Sequence, residues 1–240
     1  MGDLFPFTFV VLIWLVQLAQ GFLQESWAHY SLYPRHLFGL LGIITSPLLH
    51  SGWEHLLGNT LPLIVLGLLL YTSYKEIAGK IFWLSFFLNG ILLWCFAREA
   101  FHLGASGVVY ALASFLLFSG LIRRHPQLAM ISFLVIFLYG SMVWGVFPFD
   151  PHVSWEAHLY GALTGLILSI VYRKEGPQPR KFFEDEKQEE EEIPYILEEV
   201  GPHERPDHLQ IVYTYKEKLP GTELPITNEG AEHDKPAKGE

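Results

Sequence analysis

Six long apolar runs, parted by short polar or turn-forming segments, constrain this chain more than anything else in it. They cover residues 5–23, 54–74, 80–97, 103–122, 127–147 and 155–172. A hydrocarbon layer about 30 Å thick needs about 20 mostly apolar residues per helical crossing. Inside such a layer the backbone must satisfy its own N–H and C=O groups, which a helix does within one segment. The pattern therefore predicts an all-α membrane protein with six transmembrane helices. A hydrophobic content of 50% agrees with this and exceeds that of an average soluble domain by little, so the runs rather than the average carry the argument. The first run is read as a retained span. Met1-Gly2-Asp3-Leu4 supplies no basic residue before it, and no small-residue cleavage site follows it.

Charge divides the chain. Residues 1–174 hold few ionisable groups, whereas 175–240 are rich in Pro, Gly, Glu and Lys and include the acidic stretch 184–192. The net charge of −9 therefore describes the tail more than the bundle. Such a composition buries too little apolar surface to offset ordering entropy, so 175–240 is expected to be a disordered cytoplasmic appendage. Residues 209–215 are strand-like and could order on an unknown partner of the tail. Nothing points to nucleic acid. The one cysteine, Cys95, has no partner for an internal disulfide.

Basic residues in short loops mark the cytoplasmic side. Lys75, Lys80, Arg123, Arg124, Arg173 and Lys174 fall on one side, Arg35 and Arg98 on the other, so both termini are expected in the cytoplasm. Spans two, four and six then run inwards, which sets Asn59, Ser106 and His158 at one depth below the outer surface. The first connection, 24–51, has an apolar middle at 37–44 that is too short to cross and suits an interfacial loop.

Three segments carry candidate chemistry. Gly104-Ala105-Ser106-Gly107 opens the fourth span and puts Ser106 at a helix N-terminus, where unpaired N–H groups can stabilise an oxyanion. Alone, such a serine more often packs or bonds back to a carbonyl. His158 opens the sixth span and shares a face with Gly161 and Gly165. The fourth span offers Gly107, Ala111 and Ser114 on its own small-residue face, so the two helices can approach closely and bring Ser106 to His158. A serine and a base at matching depth make a nucleophile pair, with no third acid needed if packing orients the ring. Asp150 and Glu156 receive no triad role. In the second span His55 and Asn59, four apart, can donate with the Ser106 amide to developing negative charge. His50 is read as structural, and Tyr110, one turn after Ser106, as either a platform for the His158 ring or ordinary core. A metal reading of His50, His55 and His158 fails on spacing: the histidines are five apart and Glu54 precedes His55.

Together, His50…His55…Asn59, Gly104-Ala105-Ser106-Gly107-Val108-Val109-Tyr110 and Ala157-His158-Leu159-Tyr160-Gly161…Gly165 resemble the bacterial rhomboid proteases in residue type, order and placement. The resemblance covers about 40–172. It implies a six-helix rhomboid fold and a Ser106–His158 dyad. It also implies an oxyanion hole of His55, Asn59 and the Ser106 amide, Tyr110 packed on the catalytic ring, and no cofactor. Substrates would be transmembrane segments of membrane proteins admitted sideways from the lipid bilayer, with the fifth span and the cap as gates. The membrane implied is a bacterial inner membrane. One departure stands out: many rhomboids have Trp-Arg in the first loop, where this chain has Leu40-Leu41-Gly42-Ile43, and Tyr33-Pro34-Arg35 is a substitute anchor. The rival function is a catalytically silent relative that binds client transmembrane helices. A transporter is disfavoured, because paired intramembrane charges and repeated halves are lacking.

Overall fold

The computed structural model describes residues 5–150 and 153–178. Within them the chain is helical, with α1 at Phe5–Leu23, the short α2 at Gly42–Thr45, α3 at Trp53–Ser73, α4 at Ala78–Phe96, α5 at Ser106–Arg123, α6 at Pro126–Tyr139 and α7 at Trp155–Val171. Among the described residues the extended pairing is limited to a single bridge between Leu32 and His102. Of the tail expected over 175–240, residues 175–178 are described and 179–240, with the strand-like 209–215, lie outside the described residues.

Five segments are long and apolar enough to cross a membrane: Pro6–Leu23, Trp53–Ser73, Ala78–Phe96, Ser106–Arg123 and Pro126–Val146, the last formed by α6 and the 3-10 turns that continue it. The sixth expected span, α7, is apolar but has only 17 residues. At 1.5 Å per residue it measures about 25 Å, short of a full hydrocarbon layer. Two boundaries differ from the sequence expectation for identifiable reasons. The fourth span starts at Ser106 rather than at 103, because Gly104 has φ +112° and His102 is paired to Leu32, neither of which a helix permits. The fifth changes from α-helix to 3-10 turns at Gly140, ahead of Pro148.

α5 is the central post. Two thirds of its apolar window is buried, against 11% for the segment containing α6, which stands at the rim. The core around α5 includes Leu56, Leu66, Phe82, Leu112 and Phe115, all nearly inaccessible. α5 meets α7 through backbone rather than side chains. A methyl group added to Gly161 would collide with the Gly107 carbonyl oxygen, and one added to Gly165 with the Ala111 carbonyl oxygen. The Ser114 hydroxyl then donates across the seam to the Ala162 carbonyl at 2.7 Å. In an apolar medium, packing and such bonds substitute for the hydrophobic drive that water would supply.

The first connection is held by three devices. Gly42 and Gly39 let the backbones of Leu32 and Tyr33 approach where a side chain would clash. Arg35 donates to the Ala97 carbonyl and pairs with Glu99 at 3.3 Å. The Tyr33 ring packs on Phe38 and Phe101. Tyr33-Pro34-Arg35 thus contributes the contacts that anchor this loop. Its apolar side chains Leu37, Phe38, Leu41 and Ile44 remain more than half exposed.

At the far end of the bundle Arg123 is buried, and its guanidinium donates to Ser119 Oγ, the Tyr172 carbonyl and the Pro177 carbonyl. Lys80 bonds Glu175 at 2.9 Å. These contacts hold the chain that leaves α7 against the base.

Gly165→Val should overpack the α5–α7 seam and lower stability by about 1–3 kcal/mol. Unfolding of the detergent-solubilised protein in rising denaturant measures it, and an unchanged midpoint would contradict the seam as described.

Candidate active site

The α5–α7 seam decides where two polar side chains end. Ser106 is the first residue of α5, and its Oγ lies 3.0 Å from His158 Nε2, in the first turn of α7. The other ring nitrogen, Nδ1, lies 2.9 Å from the Gly145 carbonyl oxygen. A carbonyl only accepts, so Nδ1 must carry the proton. Nε2 is then the acceptor of the Ser106 hydroxyl. The ring is oriented by a backbone oxygen rather than by a carboxylate.

Gly145 is a residue that the sequence reading missed. In a 3-10 turn its carbonyl would accept from the residue three later, but that residue is Pro148, which has no N–H. The next possible donor, Phe149 N, is bonded to Phe147 O instead. A glycine followed three positions later by proline, at the end of an apolar run, was the available signal. Glycine at 145 also leaves room for its neighbours, since an added methyl would displace the Tyr110 hydroxyl and crowd His158 Nδ1.

Tyr110 stacks on the His158 imidazole with ring centroids 4.2 Å apart and planes inclined by 8°. Its hydroxyl donates to the Met142 carbonyl at 2.7 Å. Of the two readings open for Tyr110, platform and core, the geometry is that of a platform. The ring of His158 is thereby fixed by an edge contact at each nitrogen and a face contact.

A cavity of about 520 Å³ opens beside this pair and is lined by Ser51, His55, Asn59, Ser106, Ser154 and His158, among others. His55 lies against Gly104, whose lack of a side chain and left-handed backbone make room for the imidazole. His55 Nδ1 is 3.2 Å from Ser51 Oγ. Asn59 donates one amide hydrogen to the His55 carbonyl at 3.0 Å. His55 and Asn59 thus border the same space as Ser106 at the N-terminus of α5. Gly107 allows the Asn89 side chain to approach α5.

His50 does not line this cavity. It is buried behind His55, with ring centroids 5.1 Å apart. Neither His50 ring nitrogen makes a hydrogen bond of full geometry, although the Leu48 backbone lies close enough to act on the ring. Burial first, then the neighbouring His55 charge, push its imidazole down to about 4.

Two further residues escaped sequence reasoning. His102 is 2% exposed, with Nε2 on the Arg98 carbonyl at 3.0 Å and Nδ1 2.6 Å from Ser154 Oγ. Ser154 in turn caps α7 by accepting from Ala157 N. His102 also pairs with Leu32 through both backbone groups and accepts from Ser46 Oγ, so one residue ties the first connection to the start of α7. Burial lowers the pKa of His102, consistent with a neutral ring in this network. Arg98 meets the buried carboxylate of Glu156 at 3.3 Å, which occupies Glu156 away from the His158 ring nitrogens. Among the described residues no three His, Cys, Asp or Glu side chains are grouped for a metal ion.

Residues 37–175, more than half of the chain, match the family model described as Rhomboid domain. The chain belongs to the rhomboid family. Similar proteins include uncharacterised proteins of Mycobacterium bovis and Mycobacterium tuberculosis, each 35% identical over 176 residues that cover 68% of this chain and 72% of the relative. RHOMBOID-like protein 6, mitochondrial, of Arabidopsis thaliana is 31% identical over 134 residues, 54% of this chain and 42% of that protein. Family membership and the apolar helices make this rhomboid an integral membrane protein.

Two measurements test the geometry. Nitrogen chemical shifts of His158 should report protonation at Nδ1, and a proton on Nε2 at neutral pH would contradict the Gly145 contact. For His50, a folded-state pKa of about 4 against an ordinary 6.5 means that the unfolded chain binds more protons between those values. Its contribution to stability is present above pH 6.5 and is lost as pH falls toward 4, by about 3 kcal/mol. Denaturation across that range should show the loss, and His50→Gln should flatten the curve.

Proposed function

We propose that this rhomboid is an intramembrane serine endopeptidase that cleaves transmembrane segments of membrane proteins. The observation that carries the reading is the Ser106 hydroxyl facing a His158 nitrogen kept unprotonated by the Gly145 carbonyl. Ser106 Oγ attacks the scissile carbonyl as His158 Nε2 takes its proton. The oxyanion is met by His55, Asn59 and the Ser106 amide in a site of low dielectric. His158 returns the proton to the leaving amine. Water, activated by the same nitrogen, then attacks the acyl carbonyl and releases Ser106. Tyr110 and the Gly145 carbonyl keep the imidazole in register through both protonation states, while Gly104, Gly107, Gly161 and Gly165 admit the close approaches that the site requires.

Lateral admission from the bilayer is supported by the loosely packed rim position of α6, whose Met130, Phe133 and Phe137 are largely exposed. The basic residues at the end of the bundle opposite Ser106 support cytoplasmic termini, and the likeness to bacterial rhomboids supports a bacterial inner membrane. The acidic stretch within 175–240 is cytoplasmic in this reading and available to a soluble partner, with Glu175 and Pro177 held to the bundle by Lys80 and Arg123.

A serine-directed fluorophosphonate should label the wild type, fail to label Ser106→Ala and label His158→Ala poorly. Cleavage of a reporter transmembrane substrate should vanish in Ser106→Ala and fall by about 10²–10⁴ in His158→Ala, the range of a lost general base. Undiminished cleavage by Ser106→Ala ends the proposal. A folded wild type that binds the reporter helix but neither labels nor cuts would favour the silent client-binding relative.

A further inference from the structure

The glycine contacts that close the α5–α7 seam begin at Gly107 and Gly161. Ser106 and His158 stand just outside them, in the first turns of the two helices, where backbone groups lack intrahelical partners and ends fray unless capped. α5 starts without a side-chain cap at Ala105. The first turn of α7 is closed by Ser154: Ala157 N donates to its carbonyl at 3.1 Å and to its hydroxyl at 3.4 Å, and His158 N donates to its carbonyl at 3.4 Å. The backbone of His158 thus rests on Ser154, and whatever fixes Ser154 helps to fix the imidazole.

His102 meets that requirement. Its Nε2 faces the Arg98 carbonyl, which only accepts, so Nε2 carries the proton and Nδ1 accepts the Ser154 hydroxyl. The bonds then run in one direction. Ala157 N–H donates to Ser154 Oγ, the Ser154 hydroxyl to His102 Nδ1 and His102 Nε2–H to the Arg98 carbonyl. Each group in such a chain strengthens the next. The backbone of His102 is held as firmly: it exchanges two bonds with Leu32, at 2.9 and 3.1 Å, and accepts from Ser46 Oγ at 2.7 Å. Two residues on, Gly104 N donates to the Ser46 carbonyl at 2.9 Å, and Gly104 leads into Ser106. From one point, the main chain of His102 locates the start of α5 and its ring locates the start of α7.

We infer that His102 is a positioning residue for the Ser106–His158 pair: its Nδ1 holds the Ser154 hydroxyl and, through Ser154, the first turn of α7 that carries His158. This rests on the protease reading for its effect on rate, but not for its effect on the turn. Proton transfer from Oγ to Nε2 depends steeply on the placement of the two atoms. Although His102 borders the catalytic cavity, it is 2% exposed and presents almost nothing to a substrate. Its loss therefore falls on kcat and leaves KM in place.

Two replacements of the same residue separate positioning from packing. In His102→Asn the side-chain oxygen takes the place of Nδ1 and accepts from Ser154. In His102→Gln the amide nitrogen takes the place of Nε2, so the Arg98 bond is kept and the Ser154 acceptor is lost. With the full-length protein in detergent, His102→Gln and Ser154→Ala should each lower kcat for a transmembrane reporter about tenfold at unchanged KM, the scale of one lost hydrogen bond. Fluorophosphonate labelling of Ser106 should slow by a similar factor. The double variant should be no worse than either single one, since both break one chain, and His102→Asn should restore kcat. Hydrogen exchange at the amides of 155–159 should quicken about tenfold in the impaired variants and not in His102→Asn. Protection at 112–116 of α5 should persist in all of them, which reports an intact bundle; if His102→Gln loses it, Ser154→Ala, which leaves His102 in place, decides. Unchanged exchange at 155–159 overturns the inference. So do a raised KM at constant kcat, additive losses, or equal impairment by Asn and Gln. If the wild type neither labels nor cuts, the protease reading fails, and the exchange comparison alone upholds or overturns the hold of His102 on α7.

Discussion

The near contact of two backbones, α5 against α7, is the constraint on which the rest of the molecule depends. Gly161 lies on the Gly107 carbonyl and Gly165 on the Ala111 carbonyl, with only the Cβ atoms of Tyr110 and Ser114 beside those contacts. At an ordinary interaxial distance of 8–10 Å, set by intervening side chains, a serine and a histidine at matching helix starts would be separated by packing atoms. Closing that gap places Oγ and Nε2 at 3.0 Å. The same closeness lets the Ser114 hydroxyl reach the Ala162 carbonyl one level deeper. Packing geometry and site geometry are therefore one property, and neither survives a larger residue at the seam.

A second dependency runs through the 3-10 turns after α6. By leaving the Gly145 carbonyl without its local donor, Pro148 makes that oxygen available to His158, and the Met142 carbonyl three residues earlier takes the Tyr110 hydroxyl. Two backbone oxygens from one short turn thus set the tautomer of the imidazole and the ring that stacks on it. A neutral carbonyl offers less to an imidazolium than a carboxylate does, but burying a carboxylate at this depth would itself be costly. The one acid nearby, Glu156, is held by Arg98 and serves the junction between the α4–α5 connection and α7. His102 reinforces that junction by joining the first connection, the approach to Ser106 and the cap of α7.

The first connection shows how a structural task can be met by different chemistry. Where a bulky Trp-Arg pair was the expectation of the resemblance, this chain uses Gly39 and Gly42 to bring two stretches of backbone together, and Arg35 to reach the end of α4. Small residues there permit a compact loop whose apolar surface still faces outward. The buried Gln17, Gln20 and His50 lie behind this loop, so its packing also shapes a polar space beside α1.

Sequence alone determined the helical class, the positions of the spans to within a few residues, and the residue types from which a site could be assembled. It did so because hydrocarbon forces every crossing segment to close its own backbone bonds, a demand that composition and run length express directly. The small faces of spans four and six were also legible, since Gly107, Ala111 and Ser114 and then Gly161 and Gly165 recur at helical spacing. Tertiary structure decided what spacing cannot encode. It withheld full spanning length from α7, started α5 at Ser106 because Gly104 adopts a left-handed backbone, and buried the structural His50 behind His55. It also chose a carbonyl, at Gly145, as the partner of His158. Backbone groups are the same in every residue, so a contact to one of them leaves no mark in the sequence beyond the glycine that admits it and the proline that frees it.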